Sequence, residues 1–234
     1  MSISLTVGVL FRNNEELVAP FFYFLRKSTN ISLKVIAVNQ ASTDNTMNEL
    51  AKHMIAPHDI IVSPPKNVGI SKGRNLILKA MKERNQGNYE HLLLLDSDVF
   101  IMQDKSIDKM YHELEFHNNN EDRVGIIEGK IHSWRNFTKT SWGICFCLIN
   151  KKLFDVIGEF DENFRMFWDD TDFMDRMEQV GMCHFIMGVA VAMHFWGATT
   201  ASGTEGGKIR EAAVKNDKAY FEKKYPNKKL PNMS

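Results

Sequence analysis

Strand-like apolar runs and helix-like segments take turns along the first hundred residues. Leu5 to Phe11 is a β-rich apolar run, and a helical stretch from about Glu15 to Ser28 follows. Leu33 to Val38 is a second strand, after which Ser42, Thr43 and Asp44 precede a helix through about Met54. Asp59 to Val62 is a third, short strand. A helix from about Ser71 to Arg84 comes after a Pro-Pro and a glycine. His91 to Asp96 contains four consecutive leucines, which predicts a strand buried on both faces. This alternation predicts a parallel sheet with helices on both sides.

The second half is less regular. A helix from about Ser106 to Asn118 leads to a strand from Val124 to Ile131, and a further strand spans Gly143 to Ile149. A short helix near Lys151 to Ile157 opens an acidic segment, Asp155 to Glu178. A strand-rich stretch ends at His194. Residues 197–207 are rich in Gly, Ser and Thr and have the composition of a mobile loop. The segment from Lys208 to about Tyr225 is helical in pattern and Pro226 stops it.

Composition narrows the class. The 234 residues contain no apolar run of about 18, the length that would cross a membrane. The N-terminal MSISLTVGVLF has no basic region or cleavage site and reads as a first strand rather than a signal peptide. Three cysteines, Cys145, Cys147 and Cys183, fit a reducing cytosol. Cys145 and Cys147, two apart on a strand, are expected on one side as buried thiols. Lys plus Arg and Asp plus Glu both total 29, which argues against a dedicated polyanion binder.

Four constellations carry candidate chemistry. The leucine strand ends in Asp96-Ser97-Asp98. Two carboxylates at the C-terminal edge of a parallel sheet lie where open α/β folds bind ligands, and they suit Mg²⁺ or Mn²⁺ with substrate phosphates. Asp169, Asp170 and Asp172 follow Phe167-Trp168; a carboxylate in such a cluster can act as a base, and such acids also suit a helix N-terminus. His194 ends an apolar strand, as a core residue or a ligand. Asn67-Val-Gly69 through Arg74-Asn75 is a glycine turn opening a helix, able to present N–H groups and a cation to an anion, or simply a cap.

In this order the pieces resemble the family 2 glycosyltransferases of the GT-A fold. Val35-Ile-Ala-Val-Asn39-Gln-Ala-Ser-Thr-Asp44 is similar to V-V-D-N-G-S-T-D, and Asn67 to Asn75 to N-x-G-x-x-x-A-R-N. Asp96-Ser97-Asp98 resembles the DxD motif. Gly158-Glu-Phe-Asp161-Glu162 with Asp169-Asp170-Thr171-Asp172 and Arg176 resembles G-G-F-D-E…E-D-x-D-x-x-x-R. His194 matches the His ending the next strand, and Ala219 to Tyr225 is similar to the tail of such chains. The resemblance covers nearly the whole chain.

It implies an α/β, Rossmann-like GT-A fold, with a mostly parallel central sheet between helices and a smaller mixed acceptor-side sheet. Residues 1–234 would form one domain: a nucleotide-binding half (1–100), an acceptor and catalytic half (101–205), and a C-terminal helix with basic tail (206–234). It implies a cytoplasmic, metal-dependent inverting transferase acting on a nucleotide diphosphate sugar. Asp98 and His194 would hold Mn²⁺ or Mg²⁺, and Asp96 would contact the ribose or the metal indirectly. Asp170 would be the base, supported by Asp169. Asn67 and Arg74 would line the nucleotide side, and Thr200 or Ser202 would reach the diphosphate. Trp168 would stack on the acceptor, while Trp142 is expected in the core.

Two departures bear on the donor. Asn39 replaces the family's acid, so it can offer uracil a carbonyl oxygen but no charge. The first strand ends Val9-Leu-Phe11-Arg12-Asn13 instead of I-P-T-Y-N, which makes Phe11 the expected base platform and puts Arg12 near the phosphates or solvent. UDP is the default, with dTDP, GDP or CDP as alternatives. The acceptor stays open among a glycan, a lipid-linked sugar, a protein, a small molecule and a modified DNA base. Two other classes share some motifs. A haloacid-dehalogenase-type phosphohydrolase would use Asp96 as nucleophile, though its motif normally opens the domain. A non-catalytic module of the same fold would bind nucleotide without transfer.

The neutral total hides segregation. Residues 155–178 hold nine acids against two arginines, while residues 208–234 hold eight Lys and Arg against three acids. The acidic stretch is expected at the cleft. The basic tail is expected on a solvated face, or against an anionic membrane surface or nucleic acid.

Overall fold

A computed structural model describes residues 3–54, 56–133, 139–140, 143–195 and 205–229. Trp142, Thr200, Ser202 and most of the Gly-rich segment 197–207 lie outside the described residues. The strands are β1 (Ser4–Phe11), β2 (Ser32–Asn39), β3 (Ile60–Val62), β4 (Leu92–Asp96), β5 (Val99–Ile101), β6 (Val124–Ser133), β7 (Lys139–Thr140), β8 (Phe146–Ile149) and β9 (Cys183–His194). The helices are α1 (Glu15–Lys27), α2 (Thr46–His53), α3 (Ile70–Arg84), α4 (Ser106–Asn119), α5 (Lys151–Ile157), α6 (Asp169–Gln179) and α7 (Glu205–Lys224).

Strands β3, β2, β1 and β4 run parallel in that order, so the first half forms the expected alternating α/β unit. Beyond β4 the sheet turns mixed: β8 is antiparallel to β4 and to β6, β9 is parallel to β6, and β5 is antiparallel to β9. The mixed part, on the acceptor side, is hydrogen-bonded to the parallel part in one continuous sheet.

The leucines of β4 alternate between two cores. Leu93 and Leu95 pack with α1 and α4 residues such as Phe21, Phe22 and Met110. Leu92 and Leu94 pack with α3, α5 and α6 residues such as Ile77, Phe154 and Phe173. Burial on both faces thus follows from helices on both sides. The C-x-C expectation needs correction. Strand β8 begins only at Phe146, so Cys145 packs with the first core and Cys147 with the second, both buried. No helix among the described residues is long and apolar enough to cross a membrane.

Helix α7 docks on the acidic segment. Phe221 joins Phe164 and Trp168 in a third apolar cluster. Lys224 pairs with Asp161 and Asp172, and Lys228 with Asp175. Two of the tail's cations therefore neutralise acids of the same chain, which shrinks the charge left for an external anion.

Candidate active site

The site assembles at the C-terminal end of β4. Asp96 is the last residue of that strand, and its N–H donates to the Cys145 carbonyl at 3.0 Å. The chain then turns through Ser97 and Asp98 into β5, a strand too short to read from sequence. Antiparallel pairing sets Val99 of β5 opposite His194 of β9, and the Phe195 N–H donates to the Asp98 carbonyl at 2.9 Å. This register brings His194 Nε2 to 3.0 Å from Asp98 Oδ1. One ligand atom from each of Asp96, Asp98 and His194 lies within 4.8 Å of the others.

The second acidic group starts α6. Trp168 has φ 58° and turns the chain into the helix, where Asp169, Asp170 and Asp172 occupy the first turn. The three acids divide their tasks. Asp172 is fully buried and faces away from the cleft, bound by Arg176 Nε at 2.9 Å, by the Tyr225 hydroxyl at 2.7 Å and by Lys224. Asp169 is buried and pairs with Arg74 Nη1 at 2.5 Å. Asp170 is half-buried and accepts from the Thr171 N–H at 2.7 Å.

Residues 143–145 join the two acidic groups, a link with no local signal in the sequence. Gly143, with φ 65°, lies against the Asp170 carboxylate. The Ile144 carbonyl accepts from Arg74 Nη2 at 2.7 Å, and Cys145 holds Asp96. Arg74 is corrected accordingly: it lies buried under the acids rather than along an open nucleotide groove. Burial opposes its charge, yet Asp169, Asp96 and Asp170 outweigh that and raise its pKa.

The electrostatics show a site rich in carboxylates. Burial raises the Asp96 pKa, aided by Asp98 and Asp170 and opposed by His194 and Arg74. Burial also pushes Asp169 up to about 6, opposed by Arg74 and reinforced by Asp170 and Asp96. For His194 burial works against the charged form, but the bond to Asp98 and the charges of Asp98 and Asp96 prevail and raise its pKa. Four carboxylates with one arginine and one histidine leave room for more positive charge. Two hard carboxylate oxygens and an imidazole nitrogen form a donor set that fits Mn²⁺ or Mg²⁺.

The nucleotide-side expectations divide. Asn39 ends β2 with 6% exposure, and its Oδ1 accepts from the Ser42 N–H at 3.1 Å. Ala41, at the glycine position of the motif, has φ 53°. Asp44 accepts from the N–H groups of Glu15 (3.2 Å) and Thr46 (3.0 Å), so it orders the starts of both α1 and α2. Asn67 is spent on its own turn, accepting from the Gly69 N–H at 2.9 Å. Gln40, not singled out by sequence, bridges that turn through the Gly69 carbonyl (2.7 Å) and the Val68 N–H (3.1 Å).

The structure places three further aromatic and basic candidates. Phe11 is wholly buried, 5.4 Å from the Phe21 ring and 6.5 Å from that of Phe22, so it offers no base platform. Arg12 donates to the Gln40 and Ala41 carbonyls at 2.7 and 3.2 Å, bracing the turn after β2. Trp168 is 6% exposed, and its ring lies 6.3 Å from Phe221, so it belongs to the α7 cluster rather than an acceptor platform.

Comparisons with known proteins agree with this geometry. The fold matches a mannosyltransferase, PcManGT, from Pyrobaculum calidifontis in complex with GDP-Man and Mn²⁺, with TM-score 0.68 and 16% identity over 97% of this chain and 65% of that one. It also matches S. aureus TarS, with TM-score 0.67 and 14% identity over 94% of this chain and 44% of that one. A TarS fragment, 1–349, in complex with UDP-GlcNAc gives TM-score 0.64 and 16% identity over 98% and 68%. The chain spans about two thirds of the mannosyltransferase and under half of the longer TarS chain. No curated protein matches it by sequence. The fold is that of the GT-A glycosyltransferases, and the glycosyl transferase family 2 model matches residues 6–175. With a DxD turn at Asp96–Asp98, a histidine beside it and an acidic helix start opposite, the chain belongs to glycosyl transferase family 2.

Proposed function

We propose that this chain is a metal-dependent inverting glycosyltransferase that uses a nucleotide diphosphate sugar, with a UDP-sugar as the default donor. The observation that carries the reading is the pairing of Asp98 with His194 beside Asp96, with Asp170, which lies against Gly143, near enough to act on Asp96 electrostatically. The bound GDP-Man, UDP-GlcNAc and Mn²⁺ of the similar structures support a nucleotide-sugar donor and a divalent cation. The family match speaks against the phosphohydrolase reading of Asp96.

Asp98 and His194 would hold Mn²⁺ or Mg²⁺, and Asp96 would reach the ribose or the cation indirectly. The cation, when bound, supplies Lewis-acid stabilisation of the charge that develops on the diphosphate. Asp170 takes the proton of the acceptor hydroxyl as its oxygen bonds the anomeric carbon. The bond from that carbon to the diphosphate oxygen breaks, and the nucleoside diphosphate leaves with the electron pair. Single displacement inverts the anomeric centre and needs no covalent nucleophile. Asp169 and Arg74 fix the helix start that presents Asp170. The acceptor class stays open, with a glycan, a lipid-linked sugar and a modified DNA base as candidates and the cations of α7 as a contact for an anionic one. An odd number of cysteines with no disulfide-framework spacing supports a cytosolic setting for the enzyme.

The test is a donor screen by mass spectrometry with Mn²⁺, alongside calorimetry of UDP and GDP. Nucleotide binding with slow donor hydrolysis, abolished in Asp170→Asn with binding retained, supports the reading. Binding without any turnover favours the non-catalytic module instead.

A further inference from the structure

We propose that Asp217, on α7, is a positioning residue for the two acids that start α6, an inference that rests on the transferase reading. Asp217 lies about fifty residues beyond those acids and is 1% exposed. A single carboxylate oxygen, Oδ2, accepts from three successive backbone N–H groups: Arg165 at 3.1 Å, Met166 at 2.8 Å and Phe167 at 2.9 Å. Three converging N–H groups form a concave anion-holding turn, a conformation that an ionised carboxylate favours over other backbone arrangements.

This turn leads directly into α6. Trp168 is the next residue and takes φ 58°, an unfavourable conformation for a bulky side chain, which persists only where its surroundings impose it. Its carbonyl accepts from the Asp172 N–H at 2.9 Å and so begins α6, with Asp169 and Asp170 as the first two residues. Asp217 holds the N–H side of this turn. The Ile70 N–H at the start of α3 holds the Arg165 carbonyl at 2.6 Å, and Gly69 keeps the approach open, since a Cβ there would lie 2.5 Å from that oxygen. The direction in which α6 leaves the turn is thereby fixed from both sides.

Docking of α7 does not require Asp217. Phe221 is buried in the apolar cluster, Lys224 pairs with Asp161 and Asp172, and Tyr225 bonds Asp172 just beyond the helix. Loss of the Asp217 carboxylate therefore leaves the helix in place and frees the turn ahead of Asp169.

The test compares Asp217→Asn and Asp217→Ala in the full chain, with Tyr220→Phe as a control that removes a different α7 bond, the one from its hydroxyl to Asp161. Readouts are amide exchange, Kd for UDP and GDP with Mn²⁺, and kcat and KM for donor hydrolysis. Asp217→Ala is expected to lose about tenfold or more protection across residues 165–172 while α7 keeps its own. Its kcat falls by about 30-fold, with KM and Kd within about two-fold of the parent. Asp217→Asn keeps a neutral acceptor and falls between, and it carries the test if the alanine variant does not fold. Tyr220→Phe lowers Tm without lowering kcat. An unchanged kcat, a Kd that rises in step with the loss, or protection lost across the whole of α7 overturns the proposal. A parent chain that neither binds nucleoside diphosphate with Mn²⁺ nor turns over overturns the transferase reading itself. Exchange at residues 165–172 then decides alone whether Asp217 orders the start of α6.

Discussion

Gly143 and the Asp170 carboxylate share one space: a Cβ on Gly143 would lie 1.6 Å from Asp170 Oδ2. The position of a Cβ is set by the backbone, so only movement of Asp170 or of the chain relieves such an overlap, and the φ of 65° at Gly143 disfavours any side chain. Gly143→Ala must push Asp170 aside, and a misplacement near 1 Å costs about 100-fold in turnover. The expected result is that loss in donor hydrolysis with nucleotide Kd unchanged, read by kinetics and calorimetry on the same preparation.

Asp98 and His194 should fail together. Each supplies one donor to the proposed cation, so Asp98→Ala and His194→Ala are each expected to weaken Mn²⁺ affinity by more than about 100-fold, beyond the usual effect of losing an outer partner. Chelation with EDTA should abolish UDP binding, and added Mn²⁺ should restore it in the parent but not in either variant. Titration of Mn²⁺ followed by electron paramagnetic resonance measures this directly. Full affinity in either variant would remove that residue from the metal site.

Arg74 serves the fold and the site at once. Its partner Asp169 is 3% exposed, so Arg74→Met leaves a buried carboxylate without its cation and costs about 3–5 kcal/mol in urea unfolding. Adding Asp169→Asn should return part of that loss, because no uncompensated charge then stays buried. Arg74→Lys should not rescue, since one ammonium lacks the planar reach to both the Asp169 carboxylate and the Ile144 carbonyl. A cost of the double variant equal to the sum of the costs of Arg74→Met and Asp169→Asn made singly would show that the pair is not coupled.

Much of this was readable from the chain because its causes are local. The leucine run of β4, the carboxylates at its end and the acids at the start of α6 each carry their own signal. The parallel half followed from alternation, with helix and strand ends within a few residues. What stayed hidden depends on distant partners. His194 meets Asp98 only through β5, three residues long, and the β5–β9 register across 96 positions. Arg74, Ile144 and Asp169 come from three separate segments. Phe11 is instructive: Leu5, Val7, Val9 and Phe11 share one strand face, so alternation alone assigns it to the core. The aromatic chemistry expected from a motif position pointed the other way. Trp168 gave no local clue, since α7 buries it from more than fifty residues away.

The contact between α7 and the acidic segment makes a pH-dependent contribution to stability. Burial works against ionisation of Asp161, but Lys224 Nζ at 2.7 Å, the Asn163 N–H at 3.0 Å and the Tyr220 hydroxyl at 2.9 Å overcome it and lower its pKa to about 2. A carboxylate whose folded pKa is depressed stabilises the fold above its unfolded pKa, near 4, and loses that stabilisation as pH falls toward 2. Solvent screening of this partly exposed carboxylate discounts the shift, so the contribution at neutral pH is about 1 kcal/mol. Asp161→Asn should therefore lower unfolding stability at pH 7 by about that amount, with the difference from the parent closing between about pH 4 and 2. Urea midpoints at pH 7, 4 and 2.5 read this out. A difference that persists undiminished to the lowest pH would assign the Asp161 contribution to neutral hydrogen bonds rather than to its charge against Lys224.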